Sequence, residues 1–159
     1  MKSLVVFYSR TGRTKKVAKL ISSGLNCESE EIIDTKKRTG FIIGFLKSGY
    51  AATREKLTVI EEVQKNPEMY DLIILGTPIW SSRMTPAIRT YISENKSKIK
   101  NIAFFCTEGG DKGFKTFESM AILYEKEPLF TLEINRKEIK NNNHIDKINS
   151  FIQEIEKSN

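Results

Sequence analysis

The chain has 159 residues, of which 39% are hydrophobic and 29% are charged. This length fits one domain, 1–159, with a sizeable core, and the composition excludes a disordered chain. No apolar run reaches the ~20 residues that a membrane-spanning helix needs. Lys and Arg number 26 against 20 acids, for a net charge of +6, but they are scattered along the chain. We therefore interpret the charge as a lysine-rich surface and expect no nucleic acid partner.

The cysteines and the N-terminus indicate the compartment. Cys27 and Cys106 are too few for a disulfide framework or a cysteine zinc cage, so we expect no metal. The apolar run 3–8 has no small-residue cleavage site after it, so we expect no signal peptide. A cytoplasmic protein is therefore expected.

Five apolar runs predict the strands of a sheet. They span residues 3–8, 30–35, 70–76, 101–107 and 129–134. Three of these runs, the first, third and fourth, lack polar alternation. That pattern is typical of parallel strands that are covered on both faces.

Four segments with helical periodicity lie between and after the predicted strands. They span residues 14–25, 86–94, 114–125 and 144–157. Alternation of strands and helices at this spacing predicts βαβ units. The fold class that follows is α/β, a three-layer αβα sandwich around a five-stranded parallel sheet.

The segment 34–57 fits neither pattern. It mixes Lys and Arg with apolar residues and has glycines at positions 40, 44 and 49. We expect a short helix that packs against the edge of the sheet. The alternative is a basic interfacial segment that contacts a membrane or an acidic partner.

Three hydroxyl side chains and a glycine follow the first predicted strand, where a helix begins at once. The residues are Ser9, Arg10, Thr11, Gly12, Arg13 and Thr14. The first N–H groups of a helix lack partners and the helix dipole is positive there, so an anion is favoured. The hydroxyls can donate to phosphate oxygens, and Gly12 lets the backbone approach closely. The alternative interpretation is an ordinary Ser or Thr N-cap in a polar loop.

The single tryptophan lies in a loop after the third predicted strand. This loop contains Thr77, Pro78, Ile79, Trp80 and Ser81. Open α/β sheets bind ligands at the carboxyl ends of their strands. The indole of Trp80 can stack on a planar aromatic ligand there, and the alternative is a tryptophan that covers the core.

A third loop, which is rich in glycine, follows the fourth predicted strand. Its candidate binding residues are Thr107, Glu108, Gly109, Gly110, Asp111, Gly113 and Phe114. Glycines let backbone amides face the polar edge of a flat ring, whereas the alternative is a flexible connection. The three loops together are more specific than any one of them.

With these loops, the chain resembles a flavodoxin, a small FMN-binding electron-transfer protein. The resemblance rests on the stretches SRTGRT, TPIWSS and TEGGDKG and covers almost the whole chain. It implies the strand order 2-1-3-4-5, with the FMN phosphate held by the loop 9–14. It also implies that the loops 77–81 and 107–114 wrap the isoalloxazine ring, with Trp80 against one face.

The chain departs from the family pattern in several respects. Family members often place a tyrosine on the other ring face, where this chain offers Phe114 or Phe117. Flavodoxins are usually strongly acidic, so the usual acidic docking face is not expected on this basic chain.

The resemblance implies an electron carrier that exchanges electrons with a reductase and an acceptor and needs no catalytic residue of its own. The alternative is a small FMN-dependent oxidoreductase of the quinone, NAD(P)H or protoporphyrinogen type. Two other residues have side chains that could take part in chemistry, but we assign no role to either. His144 is expected at the surface or as a cap, and Cys106 is expected to be buried.

Overall fold

The computed structural model describes residues 1–35, 56–110 and 113–158. Within these residues, five parallel strands form one sheet in the order β2-β1-β3-β4-β5. The strands are β1 Ser3–Phe7, β2 Glu28–Glu31, β3 Leu72–Pro78, β4 Ile102–Glu108 and β5 Thr131–Asn135. The predicted α/β class and the strand order are confirmed. Apart from its ends, the segment 34–57 lies outside the described residues, so neither interpretation of it is tested.

Five α-helices flank the sheet in the described part of the chain. They are α1 Arg13–Gly24, α2 Pro86–Asn95, α3 Gly113–Tyr124, α4 Arg136–Lys140 and α5 His144–Lys157. Short 3₁₀ helices span Pro67–Met69 and Lys96–Lys98. Over the described ranges, none of the helices is long and apolar enough to cross a membrane.

The core consists of two clusters, one on each face of the sheet. Because successive strand residues point to opposite faces, Leu4 and Val6 pack on one side while Val5 and Phe7 pack on the other. Helices α2 and α3 cover the first side, and α1 and α5 cover the second. The central strands are therefore buried on both faces, which explains their continuous apolar sequences.

The edge strand β2 begins and ends earlier in the chain than the predicted strand 30–35. Its sequence is ESEE, and Glu28–Glu31 pair in parallel register with Leu4–Phe7 of β1. Charged residues are tolerated here because one side of an edge strand faces solvent. Hydrogen bonds satisfy two of the carboxylates: Lys15 donates to Glu31 at 2.7 Å, and the Tyr70 hydroxyl donates to Glu28 at 2.6 Å.

The expected surface position of His144 is wrong, because this residue is fully buried. Its ring contacts α4, a helix that the sequence patterns did not predict. The His144 Nδ1 lies 3.2 Å from the carbonyl oxygen of Glu138, to which it can donate a hydrogen bond. Cys106 is buried as expected.

Candidate functional site

The three candidate loops meet at the carboxyl edge of the sheet. They follow β1, β3 and β4, which are adjacent strands. Backbone hydrogen bonds join them: Tyr8 N–H donates to Gly76 O at 3.1 Å, and Ile79 N–H donates to Thr107 O at 3.0 Å. The strand order reverses between β1 and β3, and such a switch point is where open α/β sheets form a ligand crevice.

The loop after β1 is shaped by Gly12, the N-cap residue of α1. Gly12 has a φ of 83° and its carbonyl accepts a hydrogen bond from Lys16 N–H at 2.9 Å. An added Cβ would meet nothing within 4 Å, so a larger side chain would not clash at this position. Glycine is favoured here because of its left-handed φ. The N-cap has no side chain, so the alternative interpretation of a Ser or Thr cap is wrong. The uncapped N-terminus of α1 can face an anion.

The hydroxyl groups of this loop differ in their surroundings. Thr11 is exposed, whereas the Ser9 Oγ atom is buried and has no hydrogen-bond partner among the described residues. Thr14 is buried, and its Oγ1 lies 2.8 Å from the Oγ1 of Thr107. If Thr107 donates in this pair, the Thr14 hydroxyl hydrogen remains available to a ligand. The loops after β1 and β4 are thereby linked by side chains as well as by position.

The indole of Trp80, which belongs to the loop after β3, contacts the residues that follow β1. Its ring makes an edge contact with Tyr8, with centroids 5.7 Å apart and planes at 86°. The Arg10 guanidinium lies 5.7 Å from the indole centroid, within the range of a cation–π contact. Trp80 is only partly buried, so it packs on the core and also presents surface at the sheet edge. The contact of Trp80 with the core is confirmed, and its stacking on a ligand stays a prediction.

A tight turn follows Trp80. The N–H of Trp80 donates to Arg83 O at 3.0 Å, and the N–H of Arg83 donates to Trp80 O at 3.1 Å. Between them, Ser81 and Ser82 have φ values of 52° and 64°. Two-residue turns with both φ values positive normally use Asn and Gly, and serine there costs on the order of 1 kcal/mol per residue. Such strain is often found at functional sites.

Thr77 does not present its hydroxyl at the surface of the edge. It is fully buried, and its Oγ1 accepts a hydrogen bond from Thr85 N–H at 3.2 Å. Thr77 therefore fastens the tryptophan loop to the start of α2. Pro78 and Ile79 are partly exposed and lie between this anchor and Trp80.

The loop after β4 begins buried and then opens to solvent. Thr107 and Glu108 are buried, whereas Gly109 and Gly110 are exposed. Asp111 lies outside the described residues. The loop ends at Gly113, whose N–H donates to the Glu133 carboxylate of β5 at 3.2 Å.

The two candidate phenylalanines have different surroundings. The Phe117 ring stacks on Phe104 with centroids 6.3 Å apart, so Phe117 belongs to the core. Phe114 is 77% exposed in the first turn of α3. Of the two, Phe114 is the one that can meet a ligand or a partner.

Two residues near the edge were missed by the sequence patterns. Tyr8 was placed in the predicted first strand, yet its ring contacts Trp80. Its position directly before the hydroxyl-rich loop was the one feature of the sequence that could have placed Tyr8 at the site. Glu133 was not singled out either, and the alternation of β5 gave no hint that its carboxylate would reach α3.

The thiol of Cys106 is buried close to this edge. Burial raises its pKa far above the ordinary value, and the negative charges of Glu133 and Glu108 raise it further. The thiolate is the nucleophilic form of cysteine, so this residue acts as a small apolar side chain.

Solved structures match this chain over most of its length. A flavoprotein from Lactobacillus acidophilus NCFM, crystallised in complex with FMN, has a TM-score of 0.74 at 21% identity, covering 88% of this chain and 97% of that chain. A flavodoxin from the domain Archaea has a TM-score of 0.56 at 17% identity, covering 95% and 99% respectively. The two-electron reduced flavodoxin of Megasphaera elsdenii has a TM-score of 0.56 at 16% identity, covering 83% and 85%.

No protein-family model matches the sequence, and no curated protein matches it. The strand order, with its reversal between β1 and β3, defines a doubly wound α/β protein. The structural neighbours narrow this class: the chain has the flavodoxin-like fold.

Proposed function

We propose that this protein binds FMN at the carboxyl edge of its sheet and carries electrons between a reductase and an acceptor. The observation that supports this proposal most strongly is the buried Ser9 hydroxyl, which lacks a hydrogen-bond partner in the described part of the chain. Leaving a buried donor unsatisfied costs about 1–3 kcal/mol, and a phosphate oxygen at this position would remove that cost. A solved neighbour with FMN bound supports the same ligand.

The residues of the edge fit the two ends of such a ligand. The phosphate end would meet Ser9, Thr14 and the uncapped N-terminus of α1, where a negative charge is favourable. The ring end would meet Trp80, whose indole is held by Tyr8 and Arg10.

Further contacts of the proposed site come from the three loops. The remaining candidates are Thr11, Gly12, Arg13, Pro78, Ile79, Ser81, Thr107, Glu108, Gly109, Gly110, Asp111, Gly113 and Phe114. When bound, FMN supplies the redox chemistry, while the protein supplies binding, orientation and electrostatics. Because Thr77 is turned inward, we infer that it positions the tryptophan loop and does not touch the ring.

Fluorescence titration of the apoprotein tests this proposal, because Trp80 is the single tryptophan of the chain. We expect FMN to quench its emission with a Kd of about 1 μM or tighter. Riboflavin, which lacks the phosphate, should bind at least ~10-fold more weakly, a difference of about 1.4 kcal/mol. An FMN affinity weaker than about 1 mM would refute the proposal.

A second candidate function is a small FMN-dependent oxidoreductase. It is favoured by an open polar groove beside the Ser81–Ser82 turn, where a second substrate could bind. Steady-state oxidation of NADPH with a quinone acceptor and no added reductase separates the two functions. Turnover would identify an enzyme, whereas its absence with FMN bound would favour the carrier.

Both cysteines are free thiols, and we infer that the protein works in the reducing cytoplasm.

A further inference from the structure

A groove of about 800 Å³ lies between α2 and α3 and opens beside the Ser81–Ser82 turn. Its lining carries four cationic and two acidic side chains. These are Arg83, Arg89, Lys96, Lys115, Glu118 and Glu125. The charged side chains of the lining therefore have a positive net charge, as the whole chain does. The groove adjoins the edge of the sheet where we propose that FMN binds.

Near the tryptophan turn, the groove lining carries Arg83 and Lys115, with Glu118 one turn after Lys115 on α3. At the far end, Lys96 forms an ion pair with Glu125, so those two charges offset each other. Arg83 closes the tryptophan turn, and Lys115 lies in the first turn of α3, so both are at the carboxyl edge of the sheet. Arg89 lies in the groove wall and is only 7% exposed.

Exposed apolar side chains lie next to this charge. Phe114 is 77% exposed and Ile122 is 73% exposed, two turns apart on α3. Large apolar side chains ringed by polar residues are typical of a protein interaction surface. A small anion would use the cations but would gain nothing from the phenyl and aliphatic groups.

We propose that this surface, formed by Arg83, Lys115, Phe114, Ile122 and the groove between them, docks a small acidic electron-carrier protein. Charge complementarity selects the partner, because a positive patch speeds encounter with an acidic surface and repels a basic one. The redox role rests on the proposed function, since docking here would place the partner beside the flavin edge. The docking contact itself depends only on this surface and does not require bound FMN.

Fluorescence anisotropy of a dye-labelled plant-type [2Fe–2S] ferredoxin, used as the acidic probe, tests the docking surface. We expect binding at an ionic strength of about 0.01 M, where the Debye length is about 30 Å. At about 0.15 M, where it is about 8 Å, we expect the affinity to fall at least ~10-fold. Basic cytochrome c should not bind under either condition.

Charge reversal locates the contact on the molecule. Lys115→Glu should lower the affinity for ferredoxin about 10-fold at low salt. The variant should fold, because an acid in the first turn of α3 is favourable to the helix dipole. Lys157→Glu makes the same change of charge on α5, which packs on the opposite face of the sheet, and should leave the affinity nearly unchanged.

Several results would overturn the proposal. They are the absence of ferredoxin binding, equal losses for Lys115→Glu and Lys157→Glu, tighter binding of cytochrome c, and displacement of ferredoxin by inorganic phosphate at constant ionic strength, which would indicate a small-anion site. Performing the titrations on apoprotein and on FMN-treated protein separates the two proposals. Docking by a chain that fails to bind FMN would refute the flavin proposal alone.

Discussion

The buried hydroxyl of Ser9 is the single atom on which the phosphate site most depends. It lacks a partner among the described residues, so its hydrogen-bonding capacity is unused. A side chain that stabilises only the complex has an unusual signature. Removing it should weaken binding without weakening the fold.

We predict that Ser9→Ala lowers the affinity for FMN at least ~10-fold, since a hydrogen bond to a charged group contributes about 1.5–3 kcal/mol. The affinity for riboflavin and the free energy of unfolding of the apoprotein should not fall. Fluorescence titration and urea unfolding measure these quantities. Ser97→Ala, in the distant 3₁₀ helix Lys96–Lys98, is the matched control and should change neither affinity. Equal losses for FMN and riboflavin would show that Ser9 does not contact the phosphate.

Cys27 provides a prediction of pH dependence. Burial, with a smaller contribution from the Glu28 carboxylate, raises the pKa of its thiol from 9.0 to about 11. A raised pKa favours the unreactive protonated form, so alkylation by iodoacetamide should accelerate about 10-fold per pH unit up to pH 11. In denaturant the rate should level off near pH 9. A plateau below pH 9 in the folded protein would contradict the burial of this thiol.

The short helix α4 depends on its N-terminal hydrogen bonds more than on packing. Glu138 N–H donates to the Asn135 side chain at 2.9 Å, and Asn135 N–H donates to the Glu138 carboxylate at 2.7 Å. This reciprocal pair is a capping box. Because α4 also contacts the buried ring of His144, the cap connects the end of β5 to the start of α5.

We predict that Asn135→Ala lowers the free energy of unfolding by about 1 kcal/mol, since it removes the cap acceptor. Urea denaturation followed by circular dichroism measures the change. Asn141→Ala, at the opposite end of the same helix, makes the same chemical change without removing an N-cap. If the two variants were equally stable, the capping box would not contribute.

Strands that are buried on both faces were the easiest elements to predict. The predicted third and fourth strands differ from β3 and β4 by no more than two residues at either end, because the continuous apolar runs leave no other position for them. The edge strand β2 could not be placed this way. Its acidic residues form a strand because of their pairing with β1, which is a tertiary effect that composition does not reveal. The signature Asn135-x-x-Glu138 was present for α4, but the segment is too short for apolar periodicity.

The position of the candidate site could be predicted from chain order, but the roles of its side chains could not. Adjacent parallel strands bring their following loops together, so the convergence of the loops follows from topology. The inward turn of Thr77 depends on its hydrogen bond from Thr85 at the start of α2, and the contact between Tyr8 and Trp80 joins residues that are far apart in sequence. The positive φ values of Ser81 and Ser82 run against the preference of serine, so sequence alone does not predict that turn.

The positive charge of the molecule should influence any bound flavin. With a net charge of +6, the protein should stabilise the reduced, anionic form of the ligand relative to the neutral oxidised form. We predict that the midpoint potential of bound FMN falls as ionic strength rises from about 0.01 M to 0.15 M, because salt screens this stabilisation. Spectroelectrochemical titration measures the potential. A potential that does not change with salt would show that the cations lie too far from the ring.

A crystal structure of the protein with FMN tests the binding site most directly. We expect electron density for the phosphate beside the Ser9 hydroxyl and the N-terminus of α1, and for the ring against the exposed surface of Trp80. Electron density for FMN elsewhere, such as in the groove between α2 and α3, would contradict the proposed site. The absence of FMN density at the sheet edge in crystals saturated with FMN would contradict it as well.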